Sequence, residues 1–182
     1  MSDKTRPDNP FPQGKPDHPS FAVLKTWWQS LEANRGDRAA LRRAASLTEV
    51  MLSPAFHRLL NSLRRAGYGV ADYRYPKLAA IAGLAARVKT ETPETLATRM
   101  GSPKSGGDKK AAMSGLRVRR VLACDDVEEL YALLRRALAL LGDQANLADL
   151  AATLWHWSPM DEKRSNDPRR RLAYDYYAVA PL

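Results

Sequence analysis

The sequence predicts an all-α fold, a compact bundle of roughly eight helices. Apolar residues recur every three or four positions along most of the chain, which is the spacing of one helix face. Several of these segments follow Ser, Asp or Asn, the residue types that cap helix N-termini. No two strand-like runs are expected to pair, and no internal repeat is visible. A hydrophobic fraction of 45% over 182 residues is enough for one domain with its own core.

Residues 1–19 are predicted to form a disordered N-terminal extension, and residues 20–182 a single helical domain. The extension holds five prolines and few side chains to bury. Ser20 is the expected N-cap of a first helix over 21–33, whose apolar face carries Phe21, Leu24, Trp28 and Leu31. Asp37 is expected to cap a second helix that runs to about residue 45.

Proline and glycine mark the boundaries of the middle helices. Ser53-Pro54 combines an N-cap with proline at the first helical position, and the helix that follows is expected to stop at Gly67. Pro76 opens an alanine-rich helix to about residue 88. Thr92-Pro93-Glu94 repeats the start signal for a short helix that ends at Gly101.

The C-terminal half predicts three further helices and one ambiguous segment. Residues 102–113 indicate a flexible loop. Residues 114–123 fit a strand or a helix, and helix is favoured because the other segments are predicted to be helical. Asp126 caps the clearest helix, 127–141, which is amphipathic over four turns. Asn146 is expected to cap a helix to residue 157, and a polar connector, 158–168, leads to a last helix.

The sequence offers little catalytic or metal-binding chemistry. His18, His57 and His156 lack the spacing of a metal site, and Cys124 has neither a ligand partner nor an identifiable base. No cofactor, metal or catalytic residue is therefore predicted. No apolar run approaches the roughly 20 residues that span a bilayer, and the N-terminus lacks the apolar core of a secretion signal. These features favour a cytoplasmic protein without a membrane partner.

The charge of the chain is its first functional clue. The formal net charge is +9, and residues 20–90 alone hold 12 basic and 4 acidic side chains. Residues 125–154 reverse the sign, with 2 basic and 6 acidic side chains. A polyanion partner explains this polarity, because cationic side chains release condensed counterions when they bind phosphates.

Arginines are grouped in several segments, and guanidinium groups suit phosphate because their fork of donors is bidentate. Arg38 and Arg42 lie four residues apart, a spacing at which like charges destabilise an isolated helix and which therefore suggests an external anion. Arg135 and Arg136 are interpreted instead as partners of the acidic surface around them. From the residues alone, the candidate phosphate binders are Arg38, Arg42, Arg43, Arg58, Lys109, Lys110, Arg117, Arg119, Arg120, Arg169, Arg170 and Arg171.

Four stretches occur in an order that resembles the CasB family, the small subunit of type I-E CRISPR Cascade surveillance complexes. They are the tryptophan helix at 24–31, RGDRAALRR at 35–43, SGLRVRRVL at 114–122 and the helix 126–141 with its LRRA segment. A closing pattern of Trp155 and Tyr176-Tyr177 also looks like that family. The resemblance covers most of residues 20–180 and leaves residues 1–19 outside the family pattern.

The resemblance implies an all-helical, non-catalytic subunit, present in two copies, that packs on the crRNA-bearing backbone subunits and the large subunit. Its basic face would line the path of the target and displaced DNA strands and stabilise the R-loop. By motif it implicates Arg38, Arg42, Arg43, Arg117 and Arg120, and more weakly Lys109, Lys110, Lys163, Arg164 and Arg169 to Arg171.

Two alternatives stay open at the level of sequence. One is an assembly scaffold whose arginines meet acidic protein surfaces, without direct nucleic-acid contact. The other is a helix-turn-helix regulator, which predicts one preferred sequence and a palindromic site. The basic helices offer mainly arginine, alanine and leucine and few base-reading side chains, so backbone binding is the physical expectation. On that reading, replacing Arg38, Arg42 and Arg43 with alanine weakens DNA binding across sequences.

Overall fold

The computed structural model describes residues 10–104 and 109–181 and confirms a mostly helical fold. Within those residues there are ten α-helices. They are α1 (Pro19–Ser30), α2 (Arg35–Arg43), α3 (Leu47–Met51), α4 (Pro54–Arg65), α5 (Tyr75–Ala85), α6 (Leu96–Gly101), α7 (Gly115–Leu122), α8 (Val127–Leu140), α9 (Leu147–His156) and α10 (Pro168–Val179). A 3-10 turn, Asp72–Arg74, precedes α5. The ambiguous segment 114–123 is helical, as predicted.

Three predicted helix starts are confirmed by their capping side chains. Ser53, Asp126 and Asn146 each accept a hydrogen bond from a backbone N–H in the first turn of the helix that follows. These bonds satisfy donors that have no partner inside the helix. Local sequence therefore sets the beginnings of α4, α8 and α9.

Three other predicted starts are wrong. His18 rather than Ser20 caps α1, and Ser20 is completely buried. Asp37 lies inside the first turn of α2 rather than at its cap. Thr95, not Thr92, caps α6, because Thr92 is still in extended chain and its N–H donates to the Ala145 carbonyl.

Two short elements were not predicted. Helix α3 spans five residues and is capped by Ser46, which accepts from the Glu49 N–H. Strands β1 (Thr90–Glu91) and β2 (Gln144–Ala145) pair in parallel, with Thr90 opposite Gln144. The prediction that no strand-like runs pair is therefore wrong at this point. Two residues per strand are too few to show an alternating pattern.

Helix α5 is the centre of the core. All of its residues from Leu78 to Ala85 are buried, and it packs against α3, α8 and α9. The Tyr131 hydroxyl of α8 reaches across to donate to the Ala44 carbonyl at 2.8 Å, and its ring lies over Gly83. Basic residues flank both ends of α5, with Arg74 and Lys77 at its beginning and Arg87 and Lys89 after its end.

The N-terminal segment differs from the prediction over residues 10–18, which the structure describes. Phe11 is completely buried, with its ring centroid 5.6 Å from those of Phe21 and Trp155. His156 Nε2 lies 2.9 Å from the Phe11 carbonyl oxygen, within hydrogen-bonding distance. One aromatic side chain thus holds this proline-rich segment against the core, in a part of the chain for which the sequence predicts disorder. Residues 1–9 lie outside the described residues.

Helices α6 and α10 pack closely at Gly101. A β-carbon at this position would lie 2.5 Å from the Tyr176 carbonyl oxygen and 2.8 Å from a Val179 methyl group. Gly101→Ala is expected to lower the free energy of unfolding by about 1–3 kcal/mol, measured by urea denaturation. Gly36→Ala is the matched control, because a β-carbon there meets no atom within 4 Å. Equal effects of the two substitutions would contradict this packing.

Candidate nucleic-acid interface

Arg38 serves the fold rather than the surface. Its Nε donates to the Ala86 carbonyl at 3.2 Å and its Nη2 to the Val88 carbonyl at 2.9 Å, while Nη1 pairs with Glu32. These bonds satisfy carbonyls just beyond the end of α5, and only 15% of the side chain is exposed. Arg38 therefore has few donors left for a phosphate, and its role in phosphate binding stays a prediction.

Arg42 belongs to a cationic cluster that surrounds one buried carboxylate. Arg42, Arg87 and Lys89 each place a nitrogen 3.6 to 3.7 Å from a carboxylate oxygen of Asp143. Asp143 is 8% exposed and has a positive φ of 57° in the turn after α8. We call these four residues the Asp143 cluster. Three cations face one anion there, so the cluster keeps a net positive charge.

The side-chain ion pairs within the Asp143 cluster, at 3.6 to 3.7 Å, are longer than hydrogen bonds. Within the described residues, Asp143 Oδ1 and Arg87 Nε are buried without a hydrogen-bond partner. Such atoms are rare in folded proteins and usually have a reason. Arg42 and Lys89 keep exposed side-chain surface, so their nitrogens can donate to a phosphate without breaking a short internal side-chain bond.

A groove between α7 and α8 holds the second concentration of charge. Arg117, Arg120 and Arg136 line a cavity of about 460 Å³ whose apolar floor includes Leu133 and Leu140. All three arginines are exposed. Within residues 10–104 and 109–181, none of the three forms an ion pair with a carboxylate. We call this the α7–α8 groove.

The groove and the Asp143 cluster are connected through the C-terminal half of α8. Leu140 lines the groove and also a neighbouring hollow of about 330 Å³ that carries Arg99 and Lys104. Arg99 donates to the Leu141 carbonyl at 3.3 Å, two residues before Asp143. Arg135 donates to the Arg42 carbonyl at 3.2 Å. We define the basic track as the Asp143 cluster, the hollow and the α7–α8 groove. Arg43 follows Arg42 in α2 and is exposed.

Several predicted site residues lie elsewhere or are engaged within the chain. Arg58 pairs with Asp37, and Arg171 lies 3.8 Å from Asp175. Arg119 lies towards α10, where burial raises the pKa of Tyr176 and the Arg119 charge partly offsets that rise. The arginine groups of the sequence therefore do not all lie on the basic track.

Arg169 departs furthest from its predicted role. It is 4% exposed, and its guanidinium lies 4.4 Å from the Trp157 ring centroid. Its Nη2 donates to the Cys124 carbonyl at 2.6 Å and to Asp125 at 2.7 Å. Because its side chain is engaged within the fold, a contact between Arg169 and nucleic acid stays a prediction that would require these bonds to break.

The remaining predicted residues are peripheral. Arg164 bonds to Ser158 and Asn166, and Arg170 donates to the Glu162 carbonyl. Lys109, Lys110 and Lys163 are exposed. None of these side chains lines the α7–α8 groove. Residues 105–108, in the predicted loop 102–113, lie outside the described residues.

Arg87, Lys89, Arg99, Lys104 and Arg136 of the basic track were missed by sequence reasoning. Arg136 follows an acidic segment and was interpreted, with Arg135, as a partner of acidic side chains. The packing of α7 on α8 instead turns Arg136 towards Arg117 and Arg120. Arg87 and Lys89 stand singly in the sequence, and only the turn at Asp143 brings them together with Arg42.

The metal-binding and nucleophilic side chains can be assessed only over the described residues. Among the described residues, no group of three or more His, Cys, Asp or Glu side chains could hold a metal ion. Burial raises the pKa of the Cys124 thiol to about 11, which keeps it protonated and unreactive at neutral pH. The described residues also include no helix long and apolar enough to cross a bilayer.

Comparison with known protein families identifies the family of the chain. The sequence model of the family described as CRISPR-associated protein Cse2 matches residues 37–177, well over half of the chain. The chain belongs to the Cse2 family. This is the CasB family of type I-E Cascade small subunits, so the resemblance noted in the sequence is confirmed. Searches of curated proteins and of solved structures each returned no significant match.

Membership of the Cse2 family makes the chain a subunit of a CRISPR Cascade complex. The matched region begins inside α2 and ends inside α10, so it contains the whole basic track. Helix α1 and the segment anchored by Phe11 precede it. A Cse2 subunit acts as a structural part of its assembly, so its role depends on the surfaces that contact other molecules.

Proposed function

We propose that this Cse2-family chain is a non-catalytic subunit that holds nucleic-acid backbone through its basic track and stabilises the R-loop. Its partners would be the target and displaced DNA strands, the crRNA-bearing backbone subunits, the large subunit and a second copy of itself. Base pairing reads sequence in such machines, and protein holds the phosphates. The observation that carries the proposal is the α7–α8 groove, where three exposed arginines stand without a carboxylate partner among the described residues.

The chemistry of the track suits phosphate better than base edges. Each guanidinium in the groove offers a planar fork of donors that matches two phosphate oxygens. The Asp143 cluster offers cations whose internal contacts, at 3.6 to 3.7 Å, are weak. The groove residues include no Asn or Gln that would read a base. Binding with little sequence preference follows from this donor set.

Replacing Arg117, Arg120 and Arg136 together with alanine is expected to weaken binding of the full chain to DNA by about tenfold or more, equally for unrelated sequences. The measurement is fluorescence anisotropy with labelled single- and double-stranded DNA. All three side chains are exposed, so the fold should persist and circular dichroism should be unchanged.

The matched control replaces Lys15, Lys25 and Arg65, which are also exposed and lie off the track. It removes the same charge away from the groove, together with one exposed ion pair between Lys25 and Glu91, so it measures the effect of lost net charge. If the groove variant and the control bind DNA alike, the proposed function is contradicted. A strong preference for one palindromic sequence would instead support a regulator.

A protein partner in the groove is the second candidate function, favoured by its apolar floor. Met113 and Leu133 are buried, while Leu116, on the neighbouring part of α7, is 72% exposed. An acidic helix with apolar residues could fill such a groove. If the groove variant kept its DNA affinity but no longer assembled with the other Cascade subunits, the assembly role would be the correct one.

A further inference from the structure

A second cationic cluster lies at the other end of α5. Arg74 and Lys77 both donate to the Trp155 carbonyl at the end of α9, at 3.2 and 3.3 Å. Burial lowers the pKa of Lys77 to about 8, and the nearby charges of Arg74 and Arg164 contribute to the shift in the same direction. Arg74 and Lys77 therefore lie close together on one carbonyl despite their like charges. We call Arg74, Lys77 and Arg164 the α9-end cluster.

The α9-end cluster is not neutralised within the described part of the chain. None of its three cations forms an ion pair with a carboxylate of the described residues. Burial lowers the pKa of His156, and the charges of Arg164, Arg74 and Lys77 add to that effect, although the contact with the Phe11 carbonyl opposes it. Repulsion between like charges costs stability, and an anion from outside would relieve it.

Aromatic rings accompany these cations. Arg74 lies between two rings, 4.8 Å from the Trp155 centroid and 5.7 Å from that of Tyr73. Trp155 is buried, whereas Tyr73 is 78% exposed. Next to them, the exposed Arg64 contacts Tyr75, with its guanidinium 5.9 Å from the ring centroid. An exposed tyrosine beside a basic cluster provides a face for a nucleobase and donors for its phosphate.

This site is separate from the basic track. Helix α5 has 11 residues, which place its two ends about 15 Å apart along its axis. Arg74 and Lys77 lie at its beginning, while Arg87 and Lys89 follow its end, and the residues between are buried. A ligand on one cluster does not occupy the other.

We propose that the α9-end cluster and Tyr73 form a second nucleic-acid site, which takes an unpaired nucleotide with its phosphate on Lys77 and Arg164 and its base stacked on Tyr73. The class of ligand rests on the proposed function, whereas the residues of the site are identified independently of it. One copy of the chain would thus hold two nucleic-acid segments, one at each end of α5. Stacking on a tyrosine requires an unpaired base, so a duplex does not satisfy this site.

The test combines two substitutions with a matched control. Tyr73→Ala and Lys77→Gln, separately and together, are made in the full chain and in the α7–α8 groove variant. Tyr174→Ala is the control, because this tyrosine of α10 is also exposed, with 73% of its surface accessible compared with 78% for Tyr73. The probes are a fluorescent oligothymidylate, a DNA duplex and polyglutamate.

Tyr73→Ala is expected to lower the affinity for oligothymidylate by about fivefold or more, with little change for duplex or polyglutamate. Tyr174→Ala should change none of the three. With an iodouridine-substituted oligonucleotide, photochemical crosslinking should map to Tyr73. If Tyr73→Ala has no effect and Lys77→Gln weakens oligothymidylate and polyglutamate equally, the cluster binds anions in general and the nucleotide site is overturned.

The two proposals fail in different ways. Loss of binding in the groove variant alone, with full retention after Tyr73→Ala and Lys77→Gln, overturns the second site and supports the basic track. The reverse pattern overturns the track and supports the second site. Unchanged binding in every variant overturns both.

Discussion

Arg169→Ala is expected to lower the free energy of unfolding by about 3–5 kcal/mol, because it leaves buried acceptors and a carboxylate without their partner. The side chain joins α7, the α7–α8 turn, the connector before α10 and α10 itself. Its donors bind the carbonyls of Leu122, Cys124 and Ser158 and the carboxylates of Asp125 and Asp167. Urea denaturation followed by circular dichroism measures the change.

The adjacent arginine provides the control. Arg170 is exposed and makes one bond to the Glu162 carbonyl, so Arg170→Ala should change stability by about 0.5 kcal/mol or less. Arg169→Lys keeps the charge but not the fork of donors, and should restore only part of the stability. A stable Arg169→Ala variant with reduced DNA affinity would instead return Arg169 to the surface role that the sequence suggested.

Phe11→Ala is expected to destabilise the fold by about 3–5 kcal/mol, the range for removing a buried aromatic side chain. The ring is completely buried between Phe21 and Trp155 and fixes the first described segment to α1 and α9. Limited proteolysis should show cleavage within residues 12–18 in the variant before the helices are cut. Thermal denaturation gives the accompanying decrease in stability.

Phe11→Leu is the matched substitution, because it keeps an apolar side chain and should cost less than the alanine. If Phe11→Ala leaves both stability and proteolysis unchanged, residues 10–18 do not pack as described. In that case the prediction of a disordered extension over these residues would be correct.

Sequence alone identified the elements whose signals are local. A capping side chain and an apolar face both lie within one helix, which is why α4, α8 and α9 were predicted with nearly correct starts. The errors came where tertiary contacts decide. The extended chain at Thr92 depends on β2, some fifty residues away, and Phe11 becomes a core residue only because α1 and α9 leave room for it.

The candidate site was predicted in composition but not in arrangement. Arg42, Arg117 and Arg120 were identified because they stand in arginine-rich segments. Side-chain spacing could not distinguish Arg169, which faces the core, from its exposed neighbour Arg170. Nor could it show that Arg136 faces α7, because the relative placement of two helices depends on the packing of the whole core.

The central claim is that phosphates lie along the basic track, and the salt dependence of DNA binding tests it most directly. Removing one side chain that binds a phosphate should flatten the slope of log affinity against log salt by about 0.7 for a single strand. The slope of the groove variant should therefore be shallower by roughly 2, and adding Lys89→Gln should flatten it further by about 0.7. The Lys15, Lys25 and Arg65 control should keep the wild-type slope. An identical slope in the wild type, the groove variant and the control would contradict the account.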